Sequence, residues 1–240
     1  MKLIPTARRN AQIQRRQRRE IERLAGDRHY AEARGRLVEY GRIAAWLTPH
    51  EGRVLELGCG PGRFVALLAS LGFDVVGVDP FAFPDWERLR KLPNVELRDG
   101  VRAESLPFED ASFDHVASLG ALLYFDDPEG ALDEIRRVIK PGGRLVLRTP
   151  NSGNLYTRRT GLKLDPASHT LLSLDELAAL VGRHGYHVEQ RFAHGFWPPF
   201  GTNAWWYAQN VLLPFPVQRA LGRMLPEDRR VNNVVLATAA

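Results

Sequence analysis

Cysteine is nearly absent from this sequence, and long hydrophobic runs are absent altogether. The 240 residues contain one cysteine, Cys59, which excludes an internal disulfide and fits a reducing cytoplasm. No apolar stretch approaches the ~20 residues needed to cross a bilayer. No apolar core follows Lys2, as it would in a secretory signal. We therefore expect a cytoplasmic protein without a transmembrane segment.

Most of the chain also lacks a net charge of either sign. The formal net charge is +5, but residues 1–23 alone hold eight Lys and Arg against two Glu, so the remainder is close to neutral. We treat residues 1–28 as a basic arm and residues 29–240 as a single domain. Such an arm could meet nucleic acid, an anionic membrane surface or an acidic partner, although we favour a solvated helix.

Short β-rich runs alternate with helical patterns along the rest of the chain. The predicted strands cover residues 53–57, 74–79, 94–99, 113–119, 144–149, 186–194 and 231–239. The predicted helices cover residues 30–47, 63–72, 85–92, 128–140 and 173–185. This alternation is typical of βαβ units, and it predicts an α/β fold with a doubly wound sheet covered by helices on both faces.

Residues 195–230 do not fit the alternation, because they are rich in aromatic side chains and prolines. Three of the five tryptophans lie there, namely Trp197, Trp205 and Trp206. The segment could pack as additional core, or it could cover a pocket, since long connections in compact domains are often lids or binding loops. We interpret it as a possible substrate lid, with the three tryptophans contacting the substrate.

The first predicted strand runs directly into a glycine-rich bend. Gly58, Gly60 and Gly62 stand at alternate positions, where they would allow a sharp turn and the close approach of a ligand to a helix N-terminus. Asp79 ends the second predicted strand, 21 residues after Gly58. A carboxylate there can accept hydrogen bonds from ribose hydroxyls, so the pattern predicts a nucleotide-like ligand at the carboxyl edge of the sheet.

The spacing of the glycines separates two classes of ligand. The dinucleotide pattern G-x-G-x-x-G would need a glycine at position 63, where the chain has Arg63, and this argues against a nicotinamide dehydrogenase. The observed pattern, Glu56 followed by the three alternate glycines, resembles motif I of the class I S-adenosylmethionine-dependent methyltransferases. Three later stretches are similar to further motifs of that family, especially of its small-molecule members of the quinone-biosynthesis type. They are VVGVD at residues 75–79, residues 102–116, and residues 118–147 with their Pro-Gly-Gly turn.

The resemblance implies a Rossmann-like sheet of seven strands with the last strand antiparallel, and S-adenosyl-L-methionine as cofactor. It places Glu56 near the ammonium end of the cofactor and Asp79 on the ribose, and it makes Cys59 a small filler of the loop. The full set of cofactor-binding residues that it implies is Glu56, Gly58, Cys59, Gly60, Gly62, Asp79, Ala103, Glu104 and Leu119.

Two positions depart from the family pattern. Arg102 stands where relatives often have an aspartate that contacts the adenine amino group, and a guanidinium cannot accept that hydrogen bond. Leu123-Tyr124 replaces a polar pair that some relatives use for metal binding or catalysis, so we expect no metal. His169, placed between the fifth strand and the next helix, and Tyr124, placed after the fourth strand, are the candidate catalytic residues.

Methyl transfer to a small, apolar or aromatic acceptor is the leading hypothesis, with transfer to oxygen preferred over nitrogen or carbon. A second hypothesis makes the acceptor RNA or protein, anchored by the basic arm, and we do not favour nucleic acid as the partner. A third makes the chain a cofactor-binding interaction module without catalysis. The sequence does not define the oligomeric state.

Overall fold

The computed structural model describes residues 39–47, 52–160, 169–195 and 215–240. Its strands are β1 Arg53–Leu57, β2 Asp74–Val78, β3 Val95–Arg98, β4 Phe113–Leu119, β5 Ile139–Pro150, β6 Tyr186–His194 and β7 Asn232–Ala239. They form one sheet in the order β3-β2-β1-β4-β5-β7-β6, in which β7 is antiparallel to both of its neighbours and the other pairs are parallel. The predicted seven-stranded sheet with an antiparallel last strand is therefore confirmed.

Helices lie between the strands, as the alternation of patterns predicts. They are α1 at residues 39–46, α2 Arg63–Ser70, α3 Trp86–Leu89, α4 Pro128–Val138, α5 Leu155–Thr160, α6 Leu174–Arg183 and α7 Phe215–Met224, with 3-10 turns at Leu122–Tyr124 and Glu227–Arg229. Ser173 caps α6 in a reciprocal pair with Glu176, the arrangement known as a capping box. None of the described helices is long and apolar enough to cross a membrane.

Both faces of the sheet are covered, so neighbouring residues of a central strand are buried on opposite sides. Leu55 joins the hydrophobic cluster that includes α4 and α6, whereas Val54 joins the cluster that includes α1, α2 and α3. Both side chains are fully buried. This two-sided burial explains why the adjacent residues Val54 and Leu55 of β1 are both apolar. It leaves the carboxyl edge of the sheet as the place for a site.

The Pro-Gly-Gly segment lies within a strand, where the sequence pattern predicts a loop. Helix α4 ends at Val138, and β5 begins immediately at Ile139, which pairs with Phe113. The next pair joins His115 to Arg144, so the intervening residues of β5 form a bulge against β4. Pairing of Ile139 across the sheet, which no local pattern reveals, therefore extends β5 five residues before its predicted start.

The basic arm and the three tryptophans assigned to substrate binding, Trp197, Trp205 and Trp206, lie outside the described residues. Of the proposed lid, the structure describes Gly195, helix α7 and the 3-10 turn before β7.

Candidate cofactor site

The glycine bend between β1 and α2 is packed on two sides and open on a third. Gly58, Gly60 and Gly62 all have positive φ, at 66°, 51° and 79°, which disfavours any residue with a side chain. A Cβ on Gly58 would lie 2.2 Å from Cβ of Ala121, and one on Gly62 would lie 2.3 Å from Cδ1 of Leu89. A Cβ on Gly60 would meet no protein atom within 4 Å. The open side of the bend is therefore at Gly60.

Hydrogen bonds fix the bend from two directions. The backbone N–H groups of Gly58 and Cys59 both donate to the Val78 carbonyl, at 2.9 and 3.0 Å. On the other side the indole Nε1–H of Trp86 donates to the Gly60 carbonyl at 2.7 Å, and the Trp86 side chain is buried. Sequence reasoning missed Trp86, since a bond between residues 26 positions apart leaves no local signal.

Asp79 lies beside the bend, at the end of β2, as the sequence predicts. Its Oδ2 accepts a hydrogen bond from the Gly60 N–H at 2.9 Å, and its Oδ1 accepts one from the Phe81 N–H at 3.0 Å. Each carboxylate oxygen has two acceptor positions, so both keep capacity for a ligand hydroxyl. The Phe81 side chain is 72% exposed at the same place, which offers an apolar surface that sequence reasoning did not single out.

Glu56 is the second buried acid of the site, and it is incompletely paired. It accepts a hydrogen bond from the Val65 N–H in the first turn of α2, a helix whose N-cap, Gly62, has no side chain to provide one. Its Oε2 is buried and has no hydrogen-bond partner among the described residues. Burial raises the pKa of Glu56 well above its ordinary value, and the nearby charge of Asp79 adds to the effect. A cationic group placed against Oε2 would supply the missing partner.

These features fit the methionine and ribose parts of S-adenosylmethionine. The ammonium group would meet the orphaned oxygen of Glu56, the ribose would meet Asp79, and the open side of Gly60 would admit the chain between them. Cys59 fits its predicted role as a filler, because its side chain is buried beneath the bend and burial raises the pKa of its thiol far above the usual range.

The segment predicted to surround the adenine is fixed mainly by its own charged residues. Glu104 accepts hydrogen bonds from the N–H groups of Asp126 and Asp127, at 3.0 and 3.4 Å, while Arg102 forms an ion pair with the Asp126 carboxylate. Ala103, which lies between Arg102 and Glu104 in the sequence, is buried. Leu119 is the last residue of β4. Arg102 is thus committed to Asp126, and Glu104 anchors the loop that precedes α4.

The two candidate catalytic residues lie close to that same loop. Nδ1 of His169 is 3.3 Å from Asp126 Oδ1, the backbone N–H of His169 donates to the Leu123 carbonyl at 2.8 Å, and its side chain is 59% exposed. Tyr124 is 43% exposed in the 3-10 turn after β4. Both roles stay predictions. No group of three or more His, Cys, Asp and Glu side chains suited to a metal ion occurs in the described part of the chain.

Known proteins similar to this chain include methyltransferases. Residues 55–147 match the family model of the methyltransferase domain. An uncharacterized methyltransferase of Mycobacterium tuberculosis is 34% identical over 177 residues, which cover 72% of this chain and 65% of that protein. The chain thus spans a little under two thirds of that relative.

Solved structures of similar fold include methyltransferases. A methyltransferase of Thermotoga maritima, described as a possible histamine N-methyltransferase, aligns with a TM-score of 0.59 and 25% identity over 95% of this chain and 99% of its own. A Burkholderia thailandensis enzyme that methylates N1 of 1,6-didemethyltoxoflavin, solved with S-adenosylhomocysteine, aligns with a TM-score of 0.61 and 17% identity over 100% of this chain and 92% of its own. The second likeness supports the fold alone.

Proposed function

We propose that the chain is a class I S-adenosylmethionine-dependent methyltransferase and that it transfers a methyl group to a small, apolar or aromatic acceptor. The observation that carries the proposal is the orphaned, buried oxygen of Glu56 beside the open bend at Gly60. A buried carboxylate oxygen without a partner is costly, so its presence favours a cationic ligand. The ammonium group of S-adenosylmethionine is such a ligand.

The bound cofactor supplies a methyl group that its positive sulfur already activates. The residues of this chain then have to align the acceptor and keep water away. Glu56 and Asp79 would hold the two ends of the methionine–ribose unit. Gly60 accepts a hydrogen bond from Trp86 and donates one to Asp79, and these two bonds keep the bend in one conformation. A binding site held in one conformation favours catalysis by the correct orientation of the cofactor and the acceptor.

The class of acceptor is inferred from the aromatic residues of segment 195–230 and from the side chains at the carboxyl edge of the sheet. Trp197, Trp205 and Trp206 follow β6 in sequence, and β6 ends at the carboxyl edge of the sheet. Tyr124 is exposed after β4 at that edge. Aromatic and apolar side chains favour a flat, weakly charged acceptor. We infer a hydroxyl on such a molecule as the preferred methyl acceptor.

Incubation of the purified protein with S-adenosylmethionine carrying a labelled methyl group tests this function. The acceptors are phenol and 4-nitrophenol, with transfer RNA and casein as macromolecular comparisons. We expect labelled methyl ethers of the phenols, identified by mass spectrometry. Transfer to RNA or casein alone would favour the macromolecular acceptor, and cofactor binding without any transfer would favour a non-catalytic module.

The proposed lid gives a separate prediction. Replacing Trp205 and Trp206 together by alanine should raise KM for phenol about tenfold or more, because each buried aromatic contact contributes roughly 1 kcal/mol or more. The affinity for S-adenosylhomocysteine, measured by calorimetry, should stay unchanged and serves as the internal control. An unchanged KM would exclude these residues from the acceptor pocket.

A further inference from the structure

Three charged or titratable side chains from distant parts of the chain meet on the α1 side of the sheet. Glu39 of α1 places its Oε1 3.0 Å from Nε of Arg148 and 2.7 Å from Nε2 of His194. Arg148 belongs to β5, and His194 is the last residue of β6. Packing of the Trp46 and Phe192 rings, with centroids 5.3 Å apart, holds α1 over β6.

The electrostatics of this cluster keep Glu39 negative. Burial opposes its ionisation, but the charge of Arg148 and the contacts with His194 outweigh burial and lower the pKa of Glu39 to about 2. Nε2 of His194 lies 2.7 Å from this negative oxygen, in close contact but without the alignment of a regular hydrogen bond. A neutral ring would carry its hydrogen on this nitrogen and its lone pair on Nδ1, because two lone pairs would repel each other there. A histidine oriented in this way by a carboxylate has the arrangement of a general base.

The cluster also lies on the acceptor side of the cofactor site. His194 and Pro150, the last residue of β5, pair with the same residue, Asn232 of β7, so His194 lies at the carboxyl edge of the sheet. Across that edge, a Cβ on Gly120 would lie 3.2 Å from a terminal nitrogen of Arg148.

Gly120 in turn connects the cluster to the cofactor bend. It immediately precedes Ala121, whose side chain is packed against Gly58 of the bend. The side chain of His194 is 32% exposed, and residues 195–230 follow it directly in the sequence. An acceptor bound at the carboxyl edge of the sheet, beside Gly120 and the bend, would lie on the same side of the sheet as the imidazole.

We propose that His194 is the general base that takes the proton from the acceptor hydroxyl, and that Glu39 is the residue that positions it. This inference rests on the methyl-transfer function proposed above. His169, in contrast, has its Nδ1 directed at Asp126 and its side chain largely in solvent.

The acceptor O–H bond breaks, its proton joins Nδ1 of His194, and its electron pair stays on oxygen. The oxygen bonds to the methyl carbon as the carbon–sulfur bond breaks, and that bond's electron pair stays on sulfur. The imidazolium then releases its proton to solvent, which restores the neutral ring.

Two acceptors of different acidity, phenol and 4-nitrophenol, distinguish a catalytic base at position 194 from a residue with only a structural role. In a mildly alkaline assay phenol stays protonated, because its pKa is near that of tyrosine, about 10. Under the same conditions 4-nitrophenol is largely ionised, because its nitro group stabilises the phenolate, and it needs no base. His194→Gln should lower kcat on phenol about 100-fold and affect 4-nitrophenol by less than about threefold. His187→Gln, a change on the exposed part of the same strand, is the matched control and should leave both rates unchanged.

The positioning role of Glu39 has its own readouts. Glu39→Gln should lower kcat on phenol about tenfold and again spare 4-nitrophenol. Nitrogen-15 NMR of the wild-type protein should show His194 with its hydrogen on Nε2, and this preference should disappear in Glu39→Gln. Melting temperatures and S-adenosylhomocysteine affinities identify any variant that has lost its fold.

The outcomes distinguish a wrong assignment of His194 from a wrong assignment of the methyl-transfer function. Equal losses on both phenols, no loss on phenol, or a hydrogen on Nδ1 in the wild type would overturn the assignment of His194 while leaving methyl transfer intact. If the wild type binds S-adenosylhomocysteine but methylates neither phenol, the proposed function on aromatic hydroxyls fails, and the base assignment fails with it.

Discussion

Gly60→Ala should weaken the binding of S-adenosylhomocysteine by about 10- to 100-fold while the protein stays folded. The φ of 51° makes alanine strained there by roughly 1–2 kcal/mol. The new methyl group would meet no protein atom within 4 Å, so the core is not disturbed. It would instead enter the space assigned to the cofactor, where one misplaced carbon commonly changes binding by about 1–3 kcal/mol. Calorimetry measures the affinity, and thermal unfolding measures the strain.

Gly72→Ala provides the matched control. Gly72 also has a positive φ, at 98°, and a Cβ there would likewise meet nothing within 4 Å, but it lies at the end of α2 away from the bend. Its replacement should cost similar stability and leave cofactor affinity unchanged. If Gly60→Ala and Gly72→Ala lowered the affinity equally, or not at all, the bend would not be the binding site.

Glu56→Gln should make the protein more stable and, at the same time, weaken cofactor binding at least about 30-fold. The amide keeps an oxygen for the Val65 N–H but removes a buried charge that has an orphaned oxygen. Loss of one partner of a buried ion pair costs roughly 2 kcal/mol or more in affinity. Removing a desolvation cost of about 1 kcal/mol from the folded state would raise the melting temperature by about 2–4 °C in a chain of this size. Glu87→Gln, an exposed change on α3, should alter neither quantity.

The gain in stability should depend on pH. Because the folded-state pKa of Glu56 lies above its ordinary value of 4.5, the protonated form stabilises the folded state at low pH. That stability is lost as pH rises through the raised folded-state pKa. Glu56→Gln and the wild type should therefore melt at similar temperatures in acid, and they should diverge as pH rises. A variant less stable than the wild type at neutral pH would contradict the account.

Local sequence patterns predicted the sheet well because most strands are short, apolar and bounded by turns. The bounds of β4 and β6 coincide with the predicted runs, 113–119 and 186–194. The start of β5 was wrong because Ile139 owes its strand conformation to Phe113, a partner on another strand. Helix α3 is only four residues long, shorter than the predicted run 85–92. Tertiary pairing, not propensity, thus set the start of β5.

The site was predictable where its residues follow one another along a motif, and unpredictable where they meet through the fold. The glycines and Asp79 share one βαβ unit, so spacing alone brought them together. Trp86 reaches Gly60 from α3, and Glu39 reaches Arg148 and His194 from a different helix. Arg102 was correctly excluded as an acceptor, yet its partner, Asp126, lies 24 residues away and had no sequence signal.

A crystal structure of the protein with S-adenosylhomocysteine would show whether the glycine bend holds the cofactor. We expect the ribose hydroxyls within hydrogen-bond distance of Asp79, the amino group against Oε2 of Glu56, and ligand atoms over Gly60. Ligand density elsewhere on the protein, with the bend left empty in the presence of saturating ligand, would contradict it.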